Sequence, residues 1–232
     1  MDGQDFESRC ENCIIKQLNA LKTFKKEELK KISDSKISKK VKKGEQLFEE
    51  GENLNGVYCV RNGVSKLSKL NSNGKDQTVK IAGKGEVLGQ RSIIAQERAN
   101  LSAVALDDME VCFIPKSLIA ENLENNSEYT QTLLKQMASD LGHADRSLID
   151  MAQKSVEQRL AKTLLYIEEE FGCDNEGFLK LVLSRADFAN ILGTATELCI
   201  RMLAKFKRQG LIATEGKRIK NVDKKRMRKM IQ

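Results

Sequence analysis

Short apolar and β-branched runs, separated by glycines, occupy the chain from about residue 41 to residue 115. The runs cover residues 46–48, 57–60, 78–81, 103–105 and 111–114. Between them lie Gly44, Gly51, Gly63, Gly74, Gly85 and Gly89. Strands this short, with turn glycines recurring between them, predict an antiparallel sandwich or barrel. Asn73 followed by Gly74 predicts a tight hairpin turn, because both residues tolerate a positive φ.

Helical patterns flank this region on both sides. Residues 15–40 are predicted to form an amphipathic helix. Its apolar positions, set among lysines, are Leu18, Leu21, Phe24, Leu29 and Ile32. On the other side Pro115, the only proline, is predicted to end the last strand and to begin a short helix through Leu118 and Leu123.

The sharpest periodicity lies in a helix predicted from about Ser127 to Met151. Its apolar residues alternate at spacings of three and four, and they are Leu134, Met137, Leu141, Ala144, Leu148 and Met151. Leucine occupies every a position of this heptad seam, which is typical of a dimerising coiled coil. A helix packed only on its own domain usually has a wider apolar stripe, and that alternative stays open.

The C-terminal region has the punctuation of two consecutive helices. After a helix predicted from about residue 155 to 171 and a short strand at 178–183, Ser184 and Asp187 predict the cap of a helix that ends at Leu192.

Gly193 follows as a breaker. Thr194 and Glu197 then predict a capping box for a second helix that runs to about Gln209. Residues 211–214 and 218–222, joined by Glu215-Gly216, predict a small hairpin, or wing.

The distribution of charge adds a function class to these patterns. The 232 residues contain 40 Lys or Arg and 33 Asp or Glu, for a net charge of +7. Residues 1–153 are neutral in sum, whereas residues 177–232 hold 14 basic and 4 acidic side chains. A folded module this basic is the electrostatic footprint expected of a protein that binds a polyanion. Residues 224–229 taken alone also fit a solvated basic tail.

Several other functions are disfavoured by what the sequence lacks. No apolar run approaches the ~18 residues that cross a bilayer. Residues 1–6 do not begin a leader in which a basic segment precedes an apolar one. We therefore expect a cytoplasmic protein with no membrane partner. No Walker loop, GxSxG or HExxH motif occurs, and the only histidine, His143, falls off the heptad seam, where a solvated surface position is expected. We therefore expect no enzymatic activity.

Taken together, these features resemble the Crp/Fnr superfamily of bacterial transcription regulators. The best local match is residues 192–201, LGTATELCIR, similar to the family's LG-x-T-x-E-x-x-x-R around the recognition helix. Residues 43–45, 50–52 and 60–63 resemble the turns of the family's β-roll. The resemblance covers nearly the whole chain.

The resemblance implies an α+β fold in three parts. Residues 1–124 would form an antiparallel β-roll, a double-stranded β-helix of the cyclic-nucleotide-binding type, with its N-terminal helix. Residues 125–153 would form the coiled-coil dimerisation helix. Residues 154–232 would form a winged helix-turn-helix domain that binds DNA.

Base readout is expected from the start of the second C-terminal helix. Arg201 can donate two hydrogen bonds to guanine and Glu197 can accept one from cytosine, and their i, i+4 spacing puts both on one helical face. Thr196 would add a base or methyl contact. The alternative for Glu197 is a capping carboxylate bonded to the backbone at Thr194. Phosphate contacts are expected from Ser184, Arg185, Thr194, Lys205, Lys207, Arg208 and Lys217.

The effector is not identified by the resemblance. Cyclic-nucleotide binders of the family present Gly-Glu to the ribose and Arg-Ser/Thr to the phosphate. The candidate pocket here contains Gly89, Gln90, Arg91, Arg98 and Asn100, with Gln90 in place of the glutamate and Asn100 in place of the arginine. A buried phosphate without its charge partner is costly, so we expect that cAMP is not the effector.

An iron–sulfur cluster is the second possibility that the resemblance raises. The oxygen-sensing branch has cysteines spaced C-x2-C-x5-C and a fourth before an Ile-Pro. This chain offers Cys10, Cys13 and Cys112, with Asn19 at the third position. Since four thiolates normally hold such a cluster, we expect none. The alternative is that Cys112 and Cys59 are small apolar strand residues, while Cys10 and Cys13 lie on an exposed chain end.

The sequence therefore predicts a homodimeric DNA-binding transcription regulator that reads a near-palindromic operator, with a β-roll that senses an unidentified effector. By resemblance, RNA polymerase is a further partner. Two alternatives stay open: an effector-binding module that acts through a protein partner, and a redox- or metal-sensing regulator that uses Cys10, Cys13 and Cys112.

Overall fold

The computed structural model describes residues 9–71 and 74–231. Asn73, on which the hairpin prediction partly rests, and the first residues of the chain lie outside the described residues. Gly74 has the positive φ, +72°, that the hairpin requires. The chain divides into two compact units, one formed by residues 1–69 and 79–141 and the other by residues 70–78 and 142–232.

The predicted β-roll is confirmed as two four-stranded antiparallel sheets. Its strands are β1 (Ile37–Val41), β2 (Gln46–Phe48), β3 (Gly56–Asn62), β4 (Ser65–Leu70), β5 (Asp76–Ala82), β6 (Val87–Leu88), β7 (Ser102–Ala105) and β8 (Met109–Pro115). One sheet has the strand order β1-β8-β3-β6 and the other β2-β7-β4-β5. A core that includes Phe48, Val60 and Val111 is built from residues of both sheets.

One turn shows why glycine is needed in this region. Gly63, between β3 and β4, has a φ of +84°, a conformation that side-chain-bearing residues rarely adopt. A Cβ atom at this position would also lie 2.5 Å from the carbonyl oxygen of Asp108. The predicted turn glycines therefore mark real corners of the roll.

The single helix predicted for residues 15–40 is wrong. The structure has three short 3-10 turns, at Cys10–Asn12, Ile14–Leu18 and Ala20–Thr23, before helix α1 (Lys26–Ser35) and strand β1. Asn19 interrupts the helix because its side chain accepts a hydrogen bond from the Leu21 amide and donates one to the Gly85 carbonyl. Of the predicted apolar positions Leu18 is exposed, whereas Leu21, Phe24, Leu29 and Ile32 are buried.

Three helices complete the first part of the chain. They are α2 (Gln90–Ala95), α3 (Lys116–Asn125) and α4 (Ser127–Gln153). The helix predicted after Pro115 is confirmed as α3, and the long helix as α4. Tyr129 and Leu133, in the first turns of α4, are buried against Phe24, whose ring centroid lies 4.7 Å from that of Tyr129.

The C-terminal part contains four helices and a two-stranded hairpin. These elements are α5 (Val156–Phe171), α6 (Arg185–Leu192), α7 (Thr196–Arg208), β9 (Ile212–Glu215), β10 (Arg218–Asn221) and α8 (Lys224–Met230). The β9–β10 hairpin, hereafter the wing, is as predicted. Leu160, Leu164, Phe188 and Phe206 are fully buried in this part of the chain.

Two C-terminal predictions need correction. Residues 178–183 form an isolated bridge, between Leu179 and Cys173, and no strand. Residues 224–229 are not a solvated tail, since they belong to helix α8. Asp223 caps α8 by accepting from the Arg226 amide, and Met227 is fully buried.

Candidate nucleic-acid interface

Helix α6 and the turn after it have the predicted geometry. Ser184 accepts a hydrogen bond from the Asp187 amide, while the Asp187 carboxylate accepts from the Ser184 amide, so the predicted cap is present. Gly193 ends the helix in the left-handed conformation with φ +61°. The Thr194 amide donates to the Ala189 carbonyl, and Ala189 is buried, so the chain turns tightly into α7.

The predicted cap of α7 is wrong by one residue. The N-cap is Ala195, which makes no side-chain capping bond, and Thr194 is buried before the helix begins. The Glu197 carboxylate is therefore not held in a capping box. The alternative reading of Glu197 as a capping residue loses its basis, and its side chain is exposed.

The residues of helix α7 that are predicted to contact bases lie on its outer face. Cys199, Leu203 and Phe206 anchor one face in the core. Glu197 and Arg201 are exposed and Thr196 is half-buried on the other side. Burial raises the pKa of the Cys199 thiol to about 11, which agrees with its predicted place as a core residue.

Three of the predicted phosphate-binding residues are engaged elsewhere. The Ser184 amide and hydroxyl both donate to Asp187, Thr194 is buried, and the Lys205 ammonium lies 2.6 Å from Glu157 on α5. Their phosphate contacts stay a prediction.

Of the other four predicted phosphate-binding residues, three are exposed and Arg185 is half-buried. Lys207 and Arg208 are exposed in the last turn of α7, and Lys217 is exposed at the tip of the wing. Arg185, at the start of α6, donates to the Gly216 carbonyl at 3.2 Å. The bond joins the helix-turn-helix to the wing.

A cluster that sequence reasoning missed anchors the wing. The Arg218 guanidinium pairs with Asp174 at 2.8 Å, Glu176 at 2.5 Å and Glu215 at 3.3 Å, and it stacks 4.1 Å from the ring centroid of Phe178. Asp174 and Glu176 lie far from Arg218 in sequence, so no local spacing reveals the cluster. Arg218 therefore fixes the wing rather than adding to its free positive charge.

A second missed residue, Arg159, ties three chain segments together. Its guanidinium donates to the carbonyls of Met151, Lys154 and Leu192 at 3.3, 2.6 and 3.1 Å. The bonds satisfy carbonyls at the ends of α4 and α6, which helix geometry leaves without intrahelical donors. Arg159 thus ties the end of α6 to the end of the long helix α4.

Family models match both parts of the chain. A cyclic nucleotide-binding domain model matches residues 38–126, and a Crp-like helix-turn-helix domain model matches residues 158–230. Electron transport regulator A of Shewanella oneidensis is 30% identical over 219 residues, which cover 92% of this chain and 86% of that protein. This chain belongs to the Crp/Fnr family of transcription regulators.

A further relative agrees with this assignment, and a solved structure shares the fold. The transcriptional activator protein Anr of Pseudomonas aeruginosa is 27% identical over 221 residues, which cover 94% of this chain and 90% of Anr. The structure of FixK2 from Bradyrhizobium japonicum has the same fold, with a TM-score of 0.75, 24% identity, and coverage of 84% of this chain and 96% of FixK2. The chain is accordingly a DNA-binding transcription regulator with a sensing domain of the cyclic-nucleotide-binding type.

The residues of the candidate effector pocket do not fit a cyclic nucleotide. Gln90 is buried at the start of α2, beside a cavity of about 10 Å³, room for one water molecule. Gly89 precedes it with a φ of +82°, while Arg91 and Asn100 are exposed. Arg98 is also exposed and donates to the Gly51 carbonyl at 3.3 Å. These residues offer no buried cation for a phosphate group.

The N-terminal cysteines are not on an exposed chain end, and that prediction is wrong. Cys10 is buried in the same core cluster as Cys59 and Cys112, and Cys13 packs against this cluster. Cys59 and Cys112 face each other across β3 and β8, as expected for small apolar strand residues. Burial raises the pKa of the Cys59 thiol to about 12.

The third position of the cysteine spacing is held by Asn19, while Cys59 lies in the same core cluster as Cys10 and Cys112. Asn19, at the third position, donates to the Cys59 sulfur at 3.6 Å and to the Gly85 carbonyl at 3.0 Å, which holds its amide in place. The Lys36 ammonium lies 3.6 Å from the Cys112 sulfur. Among the described residues, no group of three or more His, Cys, Asp or Glu side chains is arranged to hold a metal ion.

The heptad seam of α4 is open along most of its length. The side chains of Leu134, Leu141 and Leu148 are 64%, 65% and 70% exposed. Ala144 is also exposed, Met151 is 39% exposed, and Met137 packs against the core of the β-roll. His143 is exposed, as expected for its position off the seam. None of the described helices is long and apolar enough to cross a membrane.

Proposed function

We propose that this regulator acts as a homodimer whose two copies are joined along α4. The observation that carries the proposal is the row of three a-position leucines, each more than 60% exposed. Burying a leucine side chain stabilises by about 1.5–3 kcal/mol, so a second copy that covers the row would be strongly favoured. Because the seam has a narrow heptad spacing, the fitting partner is another helix with the same spacing.

The dimer would read a near-palindromic operator through two copies of α7. Arg201 would donate to guanine and Glu197 would accept from cytosine, with Thr196 beside them. The exposure of Glu197 and the absence of a cap that would occupy its oxygens support this assignment. A twofold protein implies half-sites centred about one DNA turn apart.

Phosphate contacts are proposed for Arg185, Lys207, Arg208 and Lys217. These residues position the module on the duplex but do not specify its sequence. Arg185 has a double role, because its bond to Gly216 also links α6 to the wing.

Selection from a pool of random duplexes tests this function. Full-length protein should enrich a near-palindrome with a G·C pair in each half-site, and its affinity should fall steeply as salt is raised. Failure to enrich any duplex would overturn the proposal. It would favour the alternative in which the module acts through a protein partner.

We further propose that the β-roll responds to an effector other than a cyclic nucleotide and that the bound dimer acts on RNA polymerase in the cytoplasm. An effector other than a cyclic nucleotide is supported by the exposed Asn100, which stands in place of a buried arginine. The action on RNA polymerase is supported by family membership. Mass spectrometry of ligands that co-purify with the native protein, isolated without oxygen, tests the first. Recovery of stoichiometric cAMP would contradict it.

A further inference from the structure

Ile200, on helix α7, has no role in the proposed base and phosphate contacts. Its side chain is 48% exposed, although it belongs to a helix whose other aliphatic and aromatic side chains are mostly turned inward. It lies within the most basic part of the chain, between Glu197 and Arg201. A large apolar group in that position costs free energy in water, and the fold does not cover it.

The helix geometry places Ile200 among the proposed reading residues. At about 100° per residue, Ile200 lies about 60° to one side of Glu197, and Arg201 lies about 40° to the other side. Ala204, one turn further along the same face, is exposed and small. A small residue there lets this face approach a groove wall closely.

The chemistry of the major groove offers one group that matches an isoleucine. The edges of the base pairs present hydrogen-bond donors and acceptors, and the C5-methyl group of thymine is their apolar feature. An isoleucine placed against any other edge would remove polar groups from water without replacing their hydrogen bonds, which is unfavourable.

We propose that Ile200 is a specificity-determining residue that contacts a thymine methyl group. Each half-site then contains an A·T pair next to the G·C pair that Arg201 and Glu197 read. This inference rests on the proposed function, because it requires that α7 enters the major groove. It extends that function by naming a base that the hydrogen-bonding residues do not select.

Replacing thymine by deoxyuridine tests the proposal, because this change removes only the methyl group. The probe is the duplex selected by the wild-type protein, with each thymine of both half-sites replaced in turn. Replacement at one of these positions should lower the affinity of the wild-type protein by about fourfold per half-site. This factor corresponds to the burial of one methyl group. The other positions should change little.

Three variants show whether Ile200 is the residue responsible. Ile200→Ala should bind the thymine and deoxyuridine duplexes equally, whereas Ile200→Val, which keeps a branched apolar group, should keep the difference. Ile37→Ala is a matched control, because Ile37 is an isoleucine that is 49% exposed on β1 of the roll. This control should behave as the wild type.

The possible outcomes separate this inference from the proposed function. One outcome is that the wild type enriches a consensus whose binding requires Arg201, while replacing each thymine by deoxyuridine leaves the affinity unchanged. In that case the inference is wrong and the proposed function stands. If the penalty for deoxyuridine persists in Ile200→Ala, another residue reads the methyl group and the inference is also wrong. If no duplex is enriched, the proposed function fails first and the inference fails with it.

Discussion

On helix α7, the positions of two side chains decide what their chemistry can do. Arg201 and Glu197 are four residues apart, so they leave the helix on one face, and both are exposed. The N-cap at Ala195 leaves the Glu197 carboxylate without a competing capping bond. An exposed guanidinium and an exposed carboxylate on one face can read the two members of G·C pairs.

Replacing Arg201 by Ala should weaken binding to the selected operator by about 1–3 kcal/mol and relax one position of each half-site. The loss arises because guanine O6 and N7 lose a bidentate donor. Fluorescence anisotropy with the operator and with random duplex measures the two affinities. An equal loss on both duplexes would identify Arg201 as a phosphate contact instead.

A cap could be predicted where a local signal was sufficient, but the partners of other residues could not be predicted where they lie far away in sequence. The cap formed by Ser184 and Asp187 is local, and it is present. Lys205 is basic and lies on the correct helix, but Glu157 on α5 takes its charge. Thr194 looks like a helix cap in sequence, but the N-cap is the next residue, Ala195, and Thr194 is buried before the helix begins. Only the folded chain shows these partners.

Among the elements, α4 has a seam that its own chain leaves open. Replacing Leu148 by Glu should shift the protein towards monomer, because a carboxylate at an a position would be buried opposite its own copy. Sedimentation velocity at several concentrations measures this shift.

Ile149 provides the matched control for Leu148. It is the adjacent residue, it is 52% exposed, and it lies off the seam. Ile149→Glu should therefore remain a dimer. A dimeric Leu148→Glu variant, or equal dissociation of both variants, would count against the α4 interface.

Helix α8 is a second element with a testable role. Its sequence, KKRMRKM, contains too few apolar residues to give a periodic signal, which is why it resembles a charged tail. Replacing Met227 by Ala should lower the free energy of unfolding by about 2–5 kcal/mol, because the side chain is fully buried. Urea denaturation measures the change, and Met230→Ala, at a half-buried position, should cost less.

Other elements were hidden or misread for physical reasons. Strands β1 and β4, ISKKV and SKLSKL, are rich in lysine and show no clear alternation. Residues 178–183 are apolar except for Lys180, as in a buried strand, and Leu179, Leu181 and Leu183 are indeed buried. They form only an isolated bridge, between Leu179 and Cys173, rather than a ladder. Burial was predictable there, but pairing depends on neighbours that lie far away in sequence.

For the whole molecule, net charge overstates what is available to DNA. Residues 177–232 carry ten more positive than negative charges, but Lys205, Arg218 and Lys224 are paired with carboxylates of residues 157–176. The basic module is therefore partly neutralised by its own fold.

The salt dependence of operator binding should reflect the smaller number of free cations. Four proposed phosphate contacts per protomer correspond to a slope of log K against log salt of about −7 for the dimer. Anisotropy titrations at several salt concentrations measure it. A slope near zero would indicate that phosphates do not hold the complex.

The two halves of the molecule were predictable to different depths. Glycine-bounded strands and the LGTATELCIR segment were sufficient for the fold class and the family. The interior of the sensor was predictable only in part, because the cysteine spacing grouped Cys10 with Cys112 but gave no sign that Cys59 joins them in one buried cluster. The same holds for Asn19, whose amide bonds to Cys59 and Gly85 become visible only in the folded roll.

The central claim is that two copies of α7, joined through α4, read two half-sites on one face of the duplex. The most direct measurement is the affinity for the selected operator after about five base pairs, half a DNA turn, are inserted between its half-sites. Binding should fall to the level of random duplex, because one half-site then faces away. Unchanged affinity would show that each protomer binds DNA alone, and it would contradict a dimer that reads both half-sites together.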